Sequence, residues 1–185
     1  RGYGKFLNMW AYSRVDTINK KYLETVKNAG IKTLCLGIES GDQRVRFEVT
    51  KGKFKDMNIR EVVEQVHESG IEILGNYLFG LTADDHDSMQ KTLDLSIELN
   101  TLSWNAYPVM PLPGSQIFKE AKKNDEFIPK DYLDYSFHSY TTRPLGTKHL
   151  TPAEVLKYRD EAFTKYHNNP LFLKNIETKY GKKAL

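Results

Sequence analysis

A carboxylate and a hydroxyl stand side by side at the end of an apolar segment, in the run Gly37-Ile38-Glu39-Ser40-Gly41. In parallel α/β folds, ligands bind at the carboxyl ends of the strands. Glycine on both sides of Glu39 and Ser40 would let the backbone approach a ligand closely. Glu39 could accept hydrogen bonds from a ribose diol or an amine. A salt bridge to a nearby Lys or Arg is an equally good interpretation.

Three other positions have chemistry of the same kind. Arg14 follows the first predicted strand, and its planar guanidinium could pair with a ligand carboxylate or form a surface ion pair. Asn76 lies late in another strand, where its amide either faces a pocket or satisfies backbone groups. The run Pro111-Leu112-Pro113-Gly114 is a rigid segment that could present backbone groups to a flat base, or simply make a turn.

Metal and nucleophile chemistry find little support in the sequence. The five histidines show no metal-ligand spacing, and the single cysteine, Cys35, excludes an internal disulfide or a zinc or iron–sulfur site built from the chain's own thiolates. Cys35 is flanked by leucines, which indicates a packed core thiol. The chain has no phosphate loop, no G-x-S-x-G elbow and no G-x-G-x-x-G motif.

Composition indicates one globular domain. The chain has 185 residues, of which 39% are hydrophobic and 28% charged, enough for a real core. The net charge is only +3 and dispersed, so no nucleic-acid partner is expected. No apolar run reaches the ~18–20 residues needed to span a bilayer, and no signal peptide opens the chain. A lone cysteine fits a reducing compartment, so a cytoplasmic location is predicted.

The elements that must position these groups alternate between strand and helix. Apolar runs predict strands over 6–12, 32–38, 71–79 and 102–109. Helices are predicted over 16–29, 58–69, from Asp84 or Asp85 onward, and over 151–167. This alternation predicts a parallel sheet with right-handed crossovers. A full eight-unit barrel takes ~250 residues, so the chain is either a small open sheet or part of a barrel.

The last third of the chain has a different character. Residues 132–142 are aromatic and β-branched and predict an edge strand or a loop. The run Thr151-Pro152-Ala153-Glu154 carries a capping threonine, a first-turn proline and a capping-box glutamate, and therefore starts a helix. Asn169-Pro170 ends that helix, and a short helix can follow.

Taken in order, these motifs resemble the radical S-adenosylmethionine (SAM) superfamily, most closely the branch whose members often carry an upstream cobalamin-binding domain. The resemblance covers about residues 7–120. The segments that carry it are Trp10 to Arg14, Ala29-Gly30, Leu36-Gly37-Ile38-Glu39-Ser40-Gly41, Lys51-Gly52, Gly70-Ile71, Phe79-Gly80-Leu81 and Pro111-Leu112-Pro113-Gly114-Ser115. The helix that starts at Thr151 also resembles that branch's tail.

The resemblance implies a partial (β/α) TIM-type barrel over residues 1–125, with a C-terminal helical extension over 126–185. It implies an enzyme of the Fe–S oxidoreductase or methyltransferase type, which reductively cleaves S-adenosylmethionine at a 4Fe-4S cluster to make a substrate radical. An electron donor and a small-molecule substrate would be its partners, and cobalamin is a further cofactor of the complete enzyme that the branch suggests.

The resemblance also implies roles for particular residues in binding S-adenosylmethionine. Glu39 would lie near the ribose, and Arg14 and Ser40 near the methionine carboxylate and amine. Asn76 falls in the strand that flanks the adenosine. Backbone groups of the segment that starts at Met110-Pro111 would contact adenine.

Two departures from the family pattern shape the expectation for this chain. The cluster-binding loop, with three cysteines spaced C-x3-C-x2-C, is absent, and Thr82-Ala83-Asp84 stands where proline-glycine-glutamate is usual. The chain is therefore predicted to be the C-terminal part of a longer enzyme. Its upstream partner would be the rest of the same polypeptide, and the chain alone would be catalytically inactive. The alternative is a non-catalytic nucleotide-binding or scaffold α/β domain.

Overall fold

Four parallel strands in sequence order form the centre of the protein, shown by a computed structural model that describes residues 2–52 and 57–185. The strands are β1 (Met9–Arg14), β2 (Ile31–Glu39), β3 (Glu72–Phe79) and β4 (Ser103–Pro108). The helices are α1 (Lys20–Asn28), α2 (Gln43–Thr50), α3 (Ile59–Glu68), α4 (His86–Leu99), α5 (Gln116–Lys123), α6 (Pro152–His167) and α7 (Pro170–Tyr180). Short 3-10 helices occupy Tyr3–Phe6, Val15–Thr17, Tyr132–Tyr135 and Lys182–Ala184.

The topology confirms the predicted α/β fold. Each strand pairs in parallel with the next, in the order β1-β2-β3-β4, with helices between them. This arrangement matches part of a (β/α) barrel, followed by the two C-terminal helices α6 and α7. Within the described residues, no helix is long and apolar enough to cross a lipid bilayer.

The main core lies on the helix-covered face of the sheet. Strand side chains such as Leu36, Ile73 and Phe79 are fully buried there, because successive residues of a strand point to opposite faces. Val63 and Val66 of α3 lie one turn apart and pack into the same core, as the apolar spacing of that helix predicts.

A smaller apolar cluster closes the carboxyl end of the sheet. Val45 of α2 packs there with Leu81, Ala83 and Val109, which follow β3 and β4, and the partly buried Ile117 of α5 joins them. This cluster places α2 and α5 next to the strand ends, where the sequence predicts the ligand site.

Several helix starts match the predicted residues. Asn58 caps α3, and Thr151 caps α6 in a capping box with Glu154. Of the two candidates for the start of α4, Asp85 is the N-cap, whereas the Asp84 carboxylate accepts hydrogen bonds from the turn before the helix.

Other boundaries differ from the sequence prediction. β1 begins at Met9 because the preceding residues form a 3-10 turn, and it runs on to Arg14. The first helix begins at Lys20, capped by Asn19, since a second 3-10 turn follows β1. Of the two alternatives predicted for residues 132–142, an edge strand or a loop, the structure shows the loop, which begins with a 3-10 turn.

Candidate functional site

The face of the sheet opposite the helices carries a cleft of about 360 Å³. Its walls come from all four strands, and its lining residues are Tyr12, Ser13, Arg14, Cys35, Gly37, Glu39, Asn76 and Tyr107. Three of the predicted site residues, Arg14, Glu39 and Asn76, therefore meet in one place.

The strand register explains why these residues meet. Arg14 pairs with Gly37, Gly37 with Asn76, and Asn76 with Asn105, so the four residues form a row across the sheet. Because paired residues on neighbouring parallel strands share a face, the Arg14, Asn76 and Asn105 side chains lie on the open face. Glu39, the last residue of β2, lies just beyond this row at the carboxyl end of the strand.

Glu39 has an unusual backbone. Its φ is 69°, in the left-handed region that costs a non-glycine residue about 1–3 kcal/mol. The register shifts between Gly37 and Glu39, leaving Ile38 as an extra residue that packs into the main core. Such bulges re-aim side chains and are frequent beside active sites.

The Glu39 carboxylate occupies the space beside Gly37. A Cβ atom built on Gly37 would lie only 2.7 Å from Glu39 Oε1, so glycine at this position makes room for the carboxylate. Burial raises the pKa of Glu39 above its ordinary value, and the positive charge of Arg14 partly offsets that effect. A partly desolvated carboxylate gains from a ligand that donates hydrogen bonds to it.

Arg14 forms an ion pair, one of the two alternatives that the sequence leaves open for it. Its guanidinium holds Asp16, with Nε donating to Oδ1 at 2.9 Å and Nη2 pairing with Oδ2. The planar fork predicted for a ligand carboxylate is thus directed at Asp16, while the side chain still lines the cleft and attracts Glu39.

The Asn76 side chain does both things that the sequence allows for it: it lines the cleft and it satisfies backbone groups. Its Nδ2 group donates to the carbonyls of Leu36 and Leu74 at 3.4 and 3.5 Å. Asn105 Nδ2 in turn donates to Asn76 Oδ1 at 3.1 Å. Asn105 could be found only from the register of β3 and β4, since nothing in its local sequence distinguishes it.

Ser40 does not reach the cleft. Its side chain is fully buried against α4, where its Oγ lies 3.1 Å from Thr92 Oγ1 and accepts a hydrogen bond from the Asp42 backbone N–H. A Cβ atom on the neighbouring Gly41 would collide with the carbonyl of Lys91. Contrary to the sequence expectation, Ser40 and Gly41 therefore pack the strand exit against a helix.

Met110 and Pro111 lie just beyond β4, at the same end of the sheet as Glu39, and both residues are buried. The Met110 carbonyl accepts a hydrogen bond of 2.8 Å from the Leu112 N–H. Neither residue lines the cleft of 360 Å³. Their predicted backbone contacts to adenine stay a prediction.

The aromatic residues divide between the two faces. Tyr77 and Trp104 belong to the main core. Tyr107 forms a wall of the cleft. Burial and the nearby Tyr12 raise the pKa of the Tyr107 hydroxyl, so it acts as a neutral hydrogen-bonding group at ordinary pH.

The described residues form a polar cleft but no metal-binding cluster. Among residues 2–52 and 57–185, no group of three His, Cys, Asp or Glu side chains could hold a metal ion. Cys35 is buried in β2, and burial raises the pKa of its thiol, which disfavours the thiolate that a cluster requires. The cleft, by contrast, offers a polar ligand the Glu39 carboxylate and the Asn76 amide, which is held by Asn105 from outside the cleft.

Comparison with solved structures shows the fold. The chain aligns with coproporphyrinogen III oxidase (HemN) from Escherichia coli, a radical SAM enzyme, at a TM-score of 0.58 and 16% identity, covering 92% of this chain and 38% of that one. It aligns with the radical SAM methyltransferase TsrM from Kitasatospora setae, solved with cobalamin and a [4Fe-4S] cluster bound, at a TM-score of 0.54 and 15% identity, covering 83% of this chain and 31% of TsrM.

Comparison with curated sequences gives relatives of moderate similarity. An uncharacterized methyltransferase of Pyrococcus horikoshii is 24% identical over 180 residues, 96% of this chain and 38% of the relative. Bacteriochlorophyllide d C-12(1)-methyltransferase of Chlorobaculum tepidum is 26% identical over 128 residues, 69% of this chain and 28% of the relative. The chain thus spans little more than a third of these relatives at most, and no protein-family model matches it. The chain is similar in sequence to two proteins named as methyltransferases, and its fold is similar to segments of two solved radical SAM enzymes.

Proposed function

We propose that this chain is part of a radical SAM enzyme, of the methyltransferase or Fe–S oxidoreductase type, and that the cleft on the open face binds part of S-adenosylmethionine. Glu39 carries the proposal, because it is a strained, partly desolvated carboxylate aimed into a cleft at the carboxyl end of a parallel strand. The methyltransferase type is supported by the names of both curated relatives.

The residues of this chain bind and orient the cofactor in this proposal. Glu39 accepts hydrogen bonds from the ribose hydroxyls, and Asn76, locked by Asn105, flanks the adenosine. Arg14 contributes positive charge beside Glu39, and the backbone after Met110 is assigned to adenine. Reductive cleavage of S-adenosylmethionine at a 4Fe-4S cluster to make a substrate radical is chemistry of the complete enzyme, whose cluster ligands would lie outside this chain.

The division into a barrel part, residues 1–125, and an extension, residues 126–185, belongs to the same proposal. The upstream part of the same polypeptide would cover β1, which is an edge strand of the described sheet. Phe6, Trp10 and Tyr12 support this, because they are 78%, 60% and 80% exposed at that edge. Exposed apolar patches and open edges mark surfaces that a partner covers. An electron donor and a small-molecule substrate complete the expected partners.

The alternative is a non-catalytic nucleotide-binding or scaffold α/β domain. An enzyme and a nucleotide-binding domain would both use the cleft to bind a nucleoside, and a comparison of two variants tests that binding. In the longer polypeptide, Glu39→Ala should weaken S-adenosylmethionine binding by ~1–3 kcal/mol, the usual cost of losing a hydrogen bond to a charged group. Glu64→Ala on the exposed surface of α3 is the matched control and should leave the affinity unchanged. Equal affinities of both variants and the wild type in calorimetry would remove Glu39 from the site. Turnover of S-adenosylmethionine by the longer polypeptide distinguishes an enzyme from a binding domain.

A further inference from the structure

A second cavity, of about 530 Å³, lies along β4 and is closed by α6 and the loop over residues 136–142. Three consecutive strand residues, Trp104, Asn105 and Ala106, contribute to it. Successive strand residues point to opposite faces, so a cavity that all three line must run along the edge of the strand. In the described part of the chain, β4 pairs with β3 alone, which leaves that edge open. We call this space the β4 cavity.

The buried polar groups of the β4 cavity are hydrogen-bond donors. Trp104 is 4% exposed, and its indole Nε1 has no hydrogen-bond partner within the described residues. Arg159 is 9% exposed, and its guanidinium donates to Asp160 at 2.6 Å and to the Phe137 carbonyl at 2.8 Å. An indole and a guanidinium can only donate, and a guanidinium has five N–H hydrogens.

The charge of the cavity is centred on Arg159. Its guanidinium is buried, whereas the Asp160 carboxylate that pairs with it also lines the cavity but is 68% exposed, so solvent screens the negative charge more strongly than the positive charge. Arg159 makes hydrogen bonds to Asp160 and to the Phe137 carbonyl, and a guanidinium has five N–H hydrogens, so a ligand carboxylate can accept hydrogen bonds from the others.

Part of the remaining wall is apolar and aromatic. Leu156 and Phe163 of α6 line the cavity together with Ala106. The Phe163 ring centroid lies 6.0 Å from that of Trp104, within the range of interacting aromatic rings. A volume of about 530 Å³ is within the range of small-molecule sites. The cavity therefore suits a planar aromatic body.

The β4 cavity adjoins the proposed cofactor cleft. Asn105 lines the cavity and donates to Asn76 of the cleft at 3.1 Å. Tyr107, a wall of the cleft, contacts the cavity loop, with its ring centroid 4.9 Å from that of Phe137 and 6.1 Å from that of His138. Asn105 and Tyr107 of β4 thus connect the linings of the two spaces.

The geometry points to the β4 cavity as a binding site for a planar aromatic carboxylic acid, placed next to the cleft as the substrate is placed next to its cofactor. The role of the β4 cavity as the substrate site rests on the proposed function. The binding of an aromatic carboxylate is independent of the proposed function, because it requires no S-adenosylmethionine. A test without that cofactor therefore separates failure of this inference from failure of the proposed function.

The two tryptophans of the chain, Trp10 and Trp104, allow a direct test. In a ¹H–¹⁵N correlation spectrum of the chain, titration with 2-naphthoate should shift the indole resonance of Trp104 saturably and leave that of Trp10 in place. The neutral 2-naphthamide should bind at least fivefold more weakly, since it lacks the carboxylate.

A charge placed on the cavity wall provides the matched pair of variants. Thr164 lies on the exposed side of α6 and lines the cavity, so substitution there is compatible with the fold. Thr164→Glu should weaken 2-naphthoate binding at least fivefold, whereas Thr164→Gln, of the same size, should change it less than twofold. An unmoved Trp104 resonance, equal binding of acid and amide, or equal binding by the two variants would overturn the assignment.

Discussion

Glu39 combines two features that lower stability, a left-handed backbone and a partly desolvated carboxylate. Strain of this kind persists where surrounding structure imposes it, and it is concentrated at functional sites. Two neighbouring residues impose this conformation. Gly37 leaves space for the carboxylate, and the extra residue Ile38 holds the end of the strand in the core. Glu39 is therefore better explained by binding than by folding.

The raised pKa of Glu39 gives a pH-dependent prediction for Glu39→Gln. Because the folded-state pKa lies above the unfolded value, the folded protein binds the proton more tightly, and stability falls as pH rises through the folded pKa. Removing the charge should therefore raise the free energy of unfolding at pH 7. The gain should disappear near pH 4, around the ordinary pKa of glutamate, ~4.3. Urea unfolding at both pH values checks this, and a variant less stable than the wild type at pH 7 would contradict it.

Ser40 should contribute to stability and not to binding, in contrast to the neighbouring Glu39. Ser40→Ala removes the hydroxyl that contacts Thr92 and accepts from the Asp42 N–H. Leaving buried partners unsatisfied should cost about 1–3 kcal/mol of stability. Binding of S-adenosylmethionine by the longer polypeptide should stay within twofold of the wild type. If the variant lost affinity for S-adenosylmethionine but kept its stability, Ser40 would be part of the binding site.

These adjacent residues show what sequence reasoning could and could not resolve. The strand, its exit and the glycines were readable from the sequence, so Glu39 and Ser40 were both expected at the strand end. Their separation depends on the backbone beyond Gly37, where the register shifts. The role of Asn105 depends likewise on a contact that only the fold creates, its hydrogen bond to Asn76 on the neighbouring strand.

At the scale of elements, the turn between β3 and α4 is held by two acidic residues with different tasks. The buried Asp84 accepts from the Gly80 and Leu81 N–H groups at 3.1 and 2.9 Å and from Ser88 Oγ at 2.6 Å. Asp85 caps α4. The two adjacent positions form a natural matched pair.

Asp84→Ala should destabilise the protein by about 2–4 kcal/mol, because three hydrogen bonds to one buried carboxylate are lost together. Asp85→Ala should cost about 1 kcal/mol, as for other N-cap removals. Denaturant unfolding measures both values. Equal costs would show that the Asp84 network does not hold the turn.

Helices with strong local signals were the most predictable elements. Asn58 and Thr151 were recognised as caps because capping depends on residues within one turn. The start of α1 was placed too early, since the 3-10 turn Val15–Thr17 inserts between β1 and the helix. The loop over 132–142 has strand-like composition, but it contacts β4 through side chains such as Phe137 and Tyr107 instead of joining the sheet.

At the scale of the whole molecule, the helices within residues 2–52 and 57–185 that build the main core pack on one face of the sheet. The opposite face holds the cleft, and the exposed aromatic edge at β1 adjoins it. We propose that the upstream part of a longer polypeptide covers this face and supplies the cluster ligands.

Anaerobic reconstitution with iron and sulfide tests that assignment. The 185-residue chain has one cysteine, Cys35, and a cluster needs several converging thiolates. The chain should remain colourless and should not cleave S-adenosylmethionine, whereas the longer polypeptide should turn brown and become active. A stoichiometric 4Fe-4S spectrum from the 185-residue chain would contradict the expectation.

A crystal structure of the longer polypeptide with S-adenosylmethionine would show whether the open-face cleft binds this cofactor. We expect a Glu39 carboxylate oxygen within roughly 3.2 Å of a ribose hydroxyl, a normal hydrogen-bond distance, and we expect the adenosine beside Asn76. If the cofactor binds elsewhere on the sheet and makes no contact with Glu39, the cleft is not its binding site.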